Sequence, residues 1–109
     1  MTTAQLLIDE LRARHQTIAF CESLTAGLAS ATLADVPGAS DALVGGLVTY
    51  SPELKTSLAD VPADLIEREG VVSAAVAREM ARGARRVCGT DWAVALTGVA
   101  GPDTQDGMP

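Results

Sequence analysis

Thr17-Ile18-Ala19-Phe20-Cys21-Glu22-Ser23-Leu24-Thr25-Ala26-Gly27-Leu28-Ala29 runs from apolar, β-branched and aromatic side chains through small hydroxyl residues into an Ala/Leu pattern. The first part predicts a short buried strand and the last part a helix continuing to residue 34. Ser23 then falls at a strand-to-helix turn. The free N–H groups and positive dipole end of a new helix favour negative charge there, either a phosphate or a developing oxyanion. A hydroxyl at such a turn has two readings: an ordinary N-cap for the first-turn N–H groups, or a nucleophile.

Upstream, residues 3–15 set Ala4, Leu7, Ile8 and Leu11 on one stripe with charged residues opposite, which predicts an amphipathic helix. His15 falls at its C-terminal end, where an imidazole suits the dipole, and it has no partner at ligand spacing. Downstream, Asp35-Val36-Pro37-Gly38-Ala39-Ser40 is strong turn chemistry. A second strand follows over 43–50, its paired Gly45 and Gly46 suggesting a bulge or a close backbone approach. Ser51 and Pro52 fit an N-cap and first position for a short helix to Leu58 carrying Lys55. Val61 to Gly70 repeats that logic.

Ser73 is placed to cap a longer helix with Val76, Met80, Ala84 and Val87 on its apolar stripe and Gly89 at its end. Its arginines, Arg78, Arg82, Arg85 and Arg86, read as a solvated face with favourable cations in the last turn. Residues 91–97 form the clearest strand, and Gly98-Val99-Ala100-Gly101-Pro102 follows as a small-residue loop through which backbone N–H groups can approach a ligand. That loop has neither a P-loop ending nor a dinucleotide fingerprint.

The 109 residues amount to one domain, 48% of them apolar, with Phe20, Tyr50 and Trp92 as the only aromatics, so Ala, Val, Leu and Ile must fill the core. Fourteen acidic against eight basic residues give a net charge of −6, which argues against nucleic acid as a main partner. No segment has the length of a membrane span, and the N-terminus lacks the features of a signal peptide. Cys21 and Cys88 match neither a metal spacing nor a disulfide framework and read as buried thiols in a reducing, cytoplasmic setting. Alternating strands and helices predict an α/β domain of three layers, α/β/α, around a mostly parallel or mixed sheet. Such folds bind ligands at the carboxyl ends of the strands, where Ser23, Tyr50 and Thr97 all fall.

Glu22-Ser23-Leu24-Thr25-Ala26-Gly27, Asp35 to Ser40, Gly46-Leu47-Val48-Thr49-Tyr50-Ser51 with Lys55, Gly70-Val71-Val72-Ser73 and Thr97 to Pro102 together resemble the C-terminal domain of the CinA family. These are the competence/damage-inducible proteins, which include stand-alone nicotinamide mononucleotide amidohydrolases. The resemblance implies hydrolysis of that nucleotide's carboxamide to the acid and ammonia. It makes Ser23 the nucleophile and Tyr50 and Lys55 its activating partners. Glu22, Thr25, Gly27, Thr97, Gly98, Ala100 and Gly101 become substrate-binding positions, with no metal or cofactor. The implied partner is a small nucleotide substrate, and a homo-oligomer is expected.

Two positions depart from the family pattern. Leu24 stands where Cys is usual and is expected to be buried. Ala26 stands where Gly is usual, and its methyl is expected to narrow the site, which leaves room for a different amide substrate. The family also continues for several tens of residues past the Gly-Pro loop, so the resemblance implies a domain over 1–109 without the family's final strand and helix. Two further expectations follow: a catalytically degenerate nucleotide-binding module as the alternative function, and exposed apolar surface on the second and third strands.

Overall fold

The computed structural model describes residues 1–99. Ala100, Gly101 and the tail to Pro109 lie outside the described residues. In chain order the elements are α1 (Thr3–Ala13), β1 (Ile18–Glu22), α2 (Leu28–Ala34), a 3-10 turn (Ala39–Asp41), β2 (Leu43–Val48), α3 (Pro52–Ala59), α4 (Ala63–Glu69), α5 (Ala74–Cys88) and β3 (Trp92–Leu96).

The three strands form one parallel sheet in the order β2-β1-β3. Central β1 is buried along its whole length. Leaving β1 the chain moves one way along the sheet, to β2. Leaving β2 it crosses back over β1 to β3. Right-handed crossovers taken in opposite directions put their helices on opposite faces. Accordingly α1 and α2 pack Ile8, Leu11 and Leu33 against Ile18 and Phe20 on one face. On the other, Ala59 of α3, Val61, and Val76, Met80 and Ala84 of α5 pack against Cys21. The result is the three-layer α/β/α arrangement, with a sheet wholly parallel among the described residues.

Both expectations for the paired glycines are met. The β1–β2 register slips between Ile18 and Ala19, whose partners are Leu43 and Gly45, which is a bulge at Val44. A Cβ on Gly46 would run into Ser30 of α2, so the missing side chain lets that helix lie close to the sheet. The same device recurs at Gly83, where a Cβ would strike the backbone of Ala59 and force α5 away from α3.

The capping signals hold. Ser51 and Ser73 accept hydrogen bonds from Leu54 and Val76 N–H, and Gly89 ends α5 at φ 66°.

Four side chains depart from expectation. Val87 is exposed, because the i, i+4 row Val76-Met80-Ala84 continues to Cys88, which approaches Gly45. Cys88 is therefore only partly buried, while Cys21 is fully so. Leu7 is at the margin of exposure and lines a groove with Trp92 and Val94 between α1 and β3. Leu24 is exposed, since the loop after β1 carries it out toward Gly98. Val44, Val48, Tyr50, Trp92 and Val94 are all exposed, as expected for the outer two strands.

Candidate active site

The helices that follow β1 and β2 lie on opposite faces of the sheet, so the loops leaving the carboxyl ends of these neighbouring strands diverge, the place where such folds bind ligands. Ser23 follows β1 directly. Its N–H donates to Leu96 O at 2.9 Å, which ties it to the end of β3 as well. After β2, Ser51 and Pro52 start α3 and set Lys55 one turn in, on the buried side of the helix. Its ammonium donates to Ser23 Oγ at 3.0 Å and to Thr49 O at 2.7 Å. Lys55 is fully buried and Ser23 is 7% exposed.

Burial lowers the Lys55 pKa from the ordinary lysine value, and the Cys21 thiol and Glu53 only partly oppose it. Both recorded acceptors are neutral oxygens. A lysine held this way is biased toward the free amine, and at 3.0 Å a free amine can accept the serine proton instead of donating one. Beside it, burial raises the Cys21 pKa, so that thiol stays neutral as its sulfur meets Thr49 Oγ1 at 3.5 Å.

The loop itself is built by Glu22. Its carboxylate accepts from the Thr25 hydroxyl at 2.7 Å, from the N–H groups of Gly27, Ala29 and Ser30 at 3.2, 2.9 and 2.9 Å, and from the Ser30 hydroxyl at 2.5 Å. Burial would raise its pKa, but the Ser30 and Thr25 hydroxyls and the Ser30 and Ala29 N–H groups outweigh it and hold it at about 2.

Two sequence readings change here. Ser23 is not an N-cap: α2 begins at Leu28, its N-cap is Gly27 in the left-handed region at φ 106°, and Glu22 supplies the capping oxygen. Nor is the start of α2 open to a substrate anion, because that same carboxylate occupies it. Glu22 and Gly27, expected at the substrate, thus sit with Thr25 in a hydrogen-bonded turn under the loop. Between the Ser23 and Ala26 N–H groups, which bond Leu96 O and Ser23 O, those of Leu24 and Thr25 meet no acceptor among the described residues.

Tyr50 is 66% exposed at the end of β2. The group on the lysine is the carbonyl of its neighbour Thr49, not the phenol. Sequence reasoning missed Thr49, since a backbone carbonyl leaves no trace in composition. It also missed Ser30, whose one signal is a hydroxyl in the first turn of a helix built mostly of Ala and Leu. Thr97 follows β3 at the same edge, and its hydroxyl is buried with no partner among the described residues. Gly98 next to it has room for no side chain larger than its hydrogen without pressing on Leu24. Ala26 is exposed and adopts φ 51°, a region glycine prefers, so its departure from the family pattern acts on the backbone. Among the described residues no cluster of His, Cys, Asp and Glu could hold a metal ion, and no helix is long and apolar enough to cross a membrane.

These features define a parallel α/β domain with a buried serine–lysine pair where the chain reverses direction across its sheet. The family described as the CinA C-terminal domain matches residues 1–109, and the chain belongs to that family. A CinA-like protein of Synechococcus sp. (strain RCC307) is 50% identical over 99 residues, covering 91% of this chain and 24% of that protein. The chain thus spans about a quarter of the length of the relatives it matches. Among solved structures, a competence-damaged protein (CinA) superfamily protein from Escherichia coli superposes with a TM-score of 0.95 at 30% identity, covering 97% of this chain and 62% of that one. The competence damage-inducible protein A (ComA) from Klebsiella pneumoniae gives 0.94 at 31%, covering 97% and 66%.

Proposed function

We propose that this chain is a serine amidohydrolase that removes ammonia from the carboxamide of nicotinamide mononucleotide. The observation that supports this reading is the buried 3.0 Å contact between Lys55 Nζ and Ser23 Oγ, with no acidic partner on the lysine among the described residues. The free amine of Lys55 takes the Ser23 proton as Oγ attacks the carboxamide carbon. The N–H groups of Leu24 and Thr25 are the donors available to the tetrahedral oxyanion, each donor being worth about 3 kcal/mol. Collapse of that intermediate breaks the C–N bond, and the Lys55 ammonium returns its proton to the departing ammonia. Water then hydrolyses the acyl-serine by the same lysine's action. Tyr50, exposed just past the end of β2, is the aromatic side chain on offer to the pyridine ring. Thr97 and Gly98 are the residues offered to the substrate from the end of β3.

Ammonia release from the mononucleotide tests this. The wild-type chain is expected to release it and Ser23→Ala to fall to background. Equal rates would remove Ser23 from the chemistry. Calorimetric binding without turnover in the wild type would favour a binding module instead.

A further inference from the structure

We infer that Glu22 is the positioning residue of the Ser23–Lys55 pair, an internal anion that shapes the nucleophile's loop and does not touch substrate. The inference rests on the serine–lysine reading above.

Glu22 is the last residue of β1 and is fully buried. Its two ends reach both partners of the pair. The backbone carbonyl accepts from Thr49 N–H at 2.8 Å, and Thr49 in turn presents the carbonyl that holds Lys55 Nζ. The carboxylate gathers the Thr25 and Ser30 hydroxyls and three backbone N–H groups, folding residues 23–27 into the turn that carries Ser23 Oγ over the lysine. A buried carboxylate with five donors satisfies every lone pair and leaves no oxygen for a ligand. The loop depends on it locally, because Ala26 has a left-handed backbone that an alanine does not favour by itself.

Glu22→Gln keeps the size of the side chain but replaces one oxygen with an amide that cannot accept from Ser30. The loop should relax by a fraction of an ångström as its tether to Ser30 is lost, and Ser23 should lose its alignment with Lys55. Displacements of that order cost about tenfold to a hundredfold in rate.

The test labels Ser23 of the full chain with a fluorophosphonate, followed by mass spectrometry, alongside ammonia release from nicotinamide mononucleotide. In labelling, the Oγ–P bond forms as the P–F bond breaks, fluoride leaves, and the hydroxyl proton passes to Lys55. Glu22→Gln is expected to label about tenfold to a hundredfold more slowly, to lose kcat by a similar factor, and to keep KM within about twofold. The midpoint of the labelling rate against pH should stay where Lys55 sets it. Ser30→Ala, which removes one hydroxyl donor to the Glu22 carboxylate, should slow labelling in the same direction by a smaller factor, and the double variant should be less than additive. If Glu22→Gln does not fold, Ser30→Ala decides alone.

Unchanged labelling in both variants overturns the inference, as does a raised KM at constant kcat, which would make Glu22 a substrate contact. Labelling that slows as expected in a chain releasing no ammonia sustains the inference and removes only the proposed substrate. A wild-type Ser23 that does not label at all overturns it, because no activated serine is then present to be positioned.

Discussion

Two buried ionisable groups lie on either side of Ser23, and the fold treats them in opposite ways. On the β1 side Glu22 has five donors, and its pKa is held at about 2. On the α3 side Lys55 has two neutral oxygen acceptors, and its pKa is lowered. Both side chains are equally inaccessible. Burial opposes charge in each, so the difference lies in what replaces the lost water. Where hydrogen bonds replace it fully, the charge becomes permanent and the group serves as scaffold. Where they replace it in part, the neutral form competes and the group is available for proton transfer. Burial alone would not have told the two apart.

The sharpest way to break this comparison is Lys55→Met, which keeps the length of the side chain and removes the amine. Amidohydrolysis is expected to fall about a thousandfold, the scale of a general base. Stability should stay within about 1 kcal/mol of the parent, because relief of the buried amine's desolvation offsets the loss of its hydrogen bonds to Ser23 Oγ and Thr49 O. The pH dependence sharpens it further. With the Lys55 pKa lowered, the unfolded chain binds more protons between that pKa and the ordinary 10.5, so stability rises with pH across this window. Activity likewise rises through the lowered pKa as the amine is freed. Denaturant titrations and rates across alkaline pH check both, and Lys55→Met should flatten the stability slope.

A smaller effect is expected from acid. The Glu22 pKa is depressed from 4.5 to about 2, so its contribution is fully present above 4.5 and is lost as pH falls toward about 2. Integrated over that window it amounts to about 3 kcal/mol. Urea unfolding at successive pH values should show this loss in the wild type and a much weaker one in Glu22→Gln. An equal acid slope in the two chains would mean that the five donors do not hold the charge as described.

Ala26→Gly should give the smallest change, a gain of about 1 kcal/mol in thermal unfolding, since glycine accepts φ 51° without the steric cost borne by alanine. If stability falls instead, Glu22 does not impose the left-handed turn on this loop.

Much of the architecture was legible in local pattern. The apolar run to Cys21, the Ser51-Pro52 and Ser73 starts, the Gly89 stop and the paired glycines of β2 are signals between near neighbours, and near neighbours decide strands, caps and bulges. Ser23, Tyr50 and Thr97 could be placed at one sheet edge because parallel strands send their carboxyl ends the same way, whereas Lys55 entered only through the family resemblance. The hydroxyl of Ser23 looked like an N-cap because a local reading expects a cap beside its helix. It could not show that a carboxylate one residue earlier reaches forward to Ser30 and takes that role.

Residue order and side-chain type determined the α/β layers and the sheet edge that carries the candidate site, while leaving the sheet parallel or mixed. Only the tertiary structure decided that Lys55 is buried beside Ser23 and not solvated, that the carbonyl of Thr49 and not the phenol of Tyr50 holds it, and that Glu22 is an anion satisfied from within. Each of these depends on groups brought together from separate elements, and a pKa follows from how many such groups surround a charge once water has been excluded.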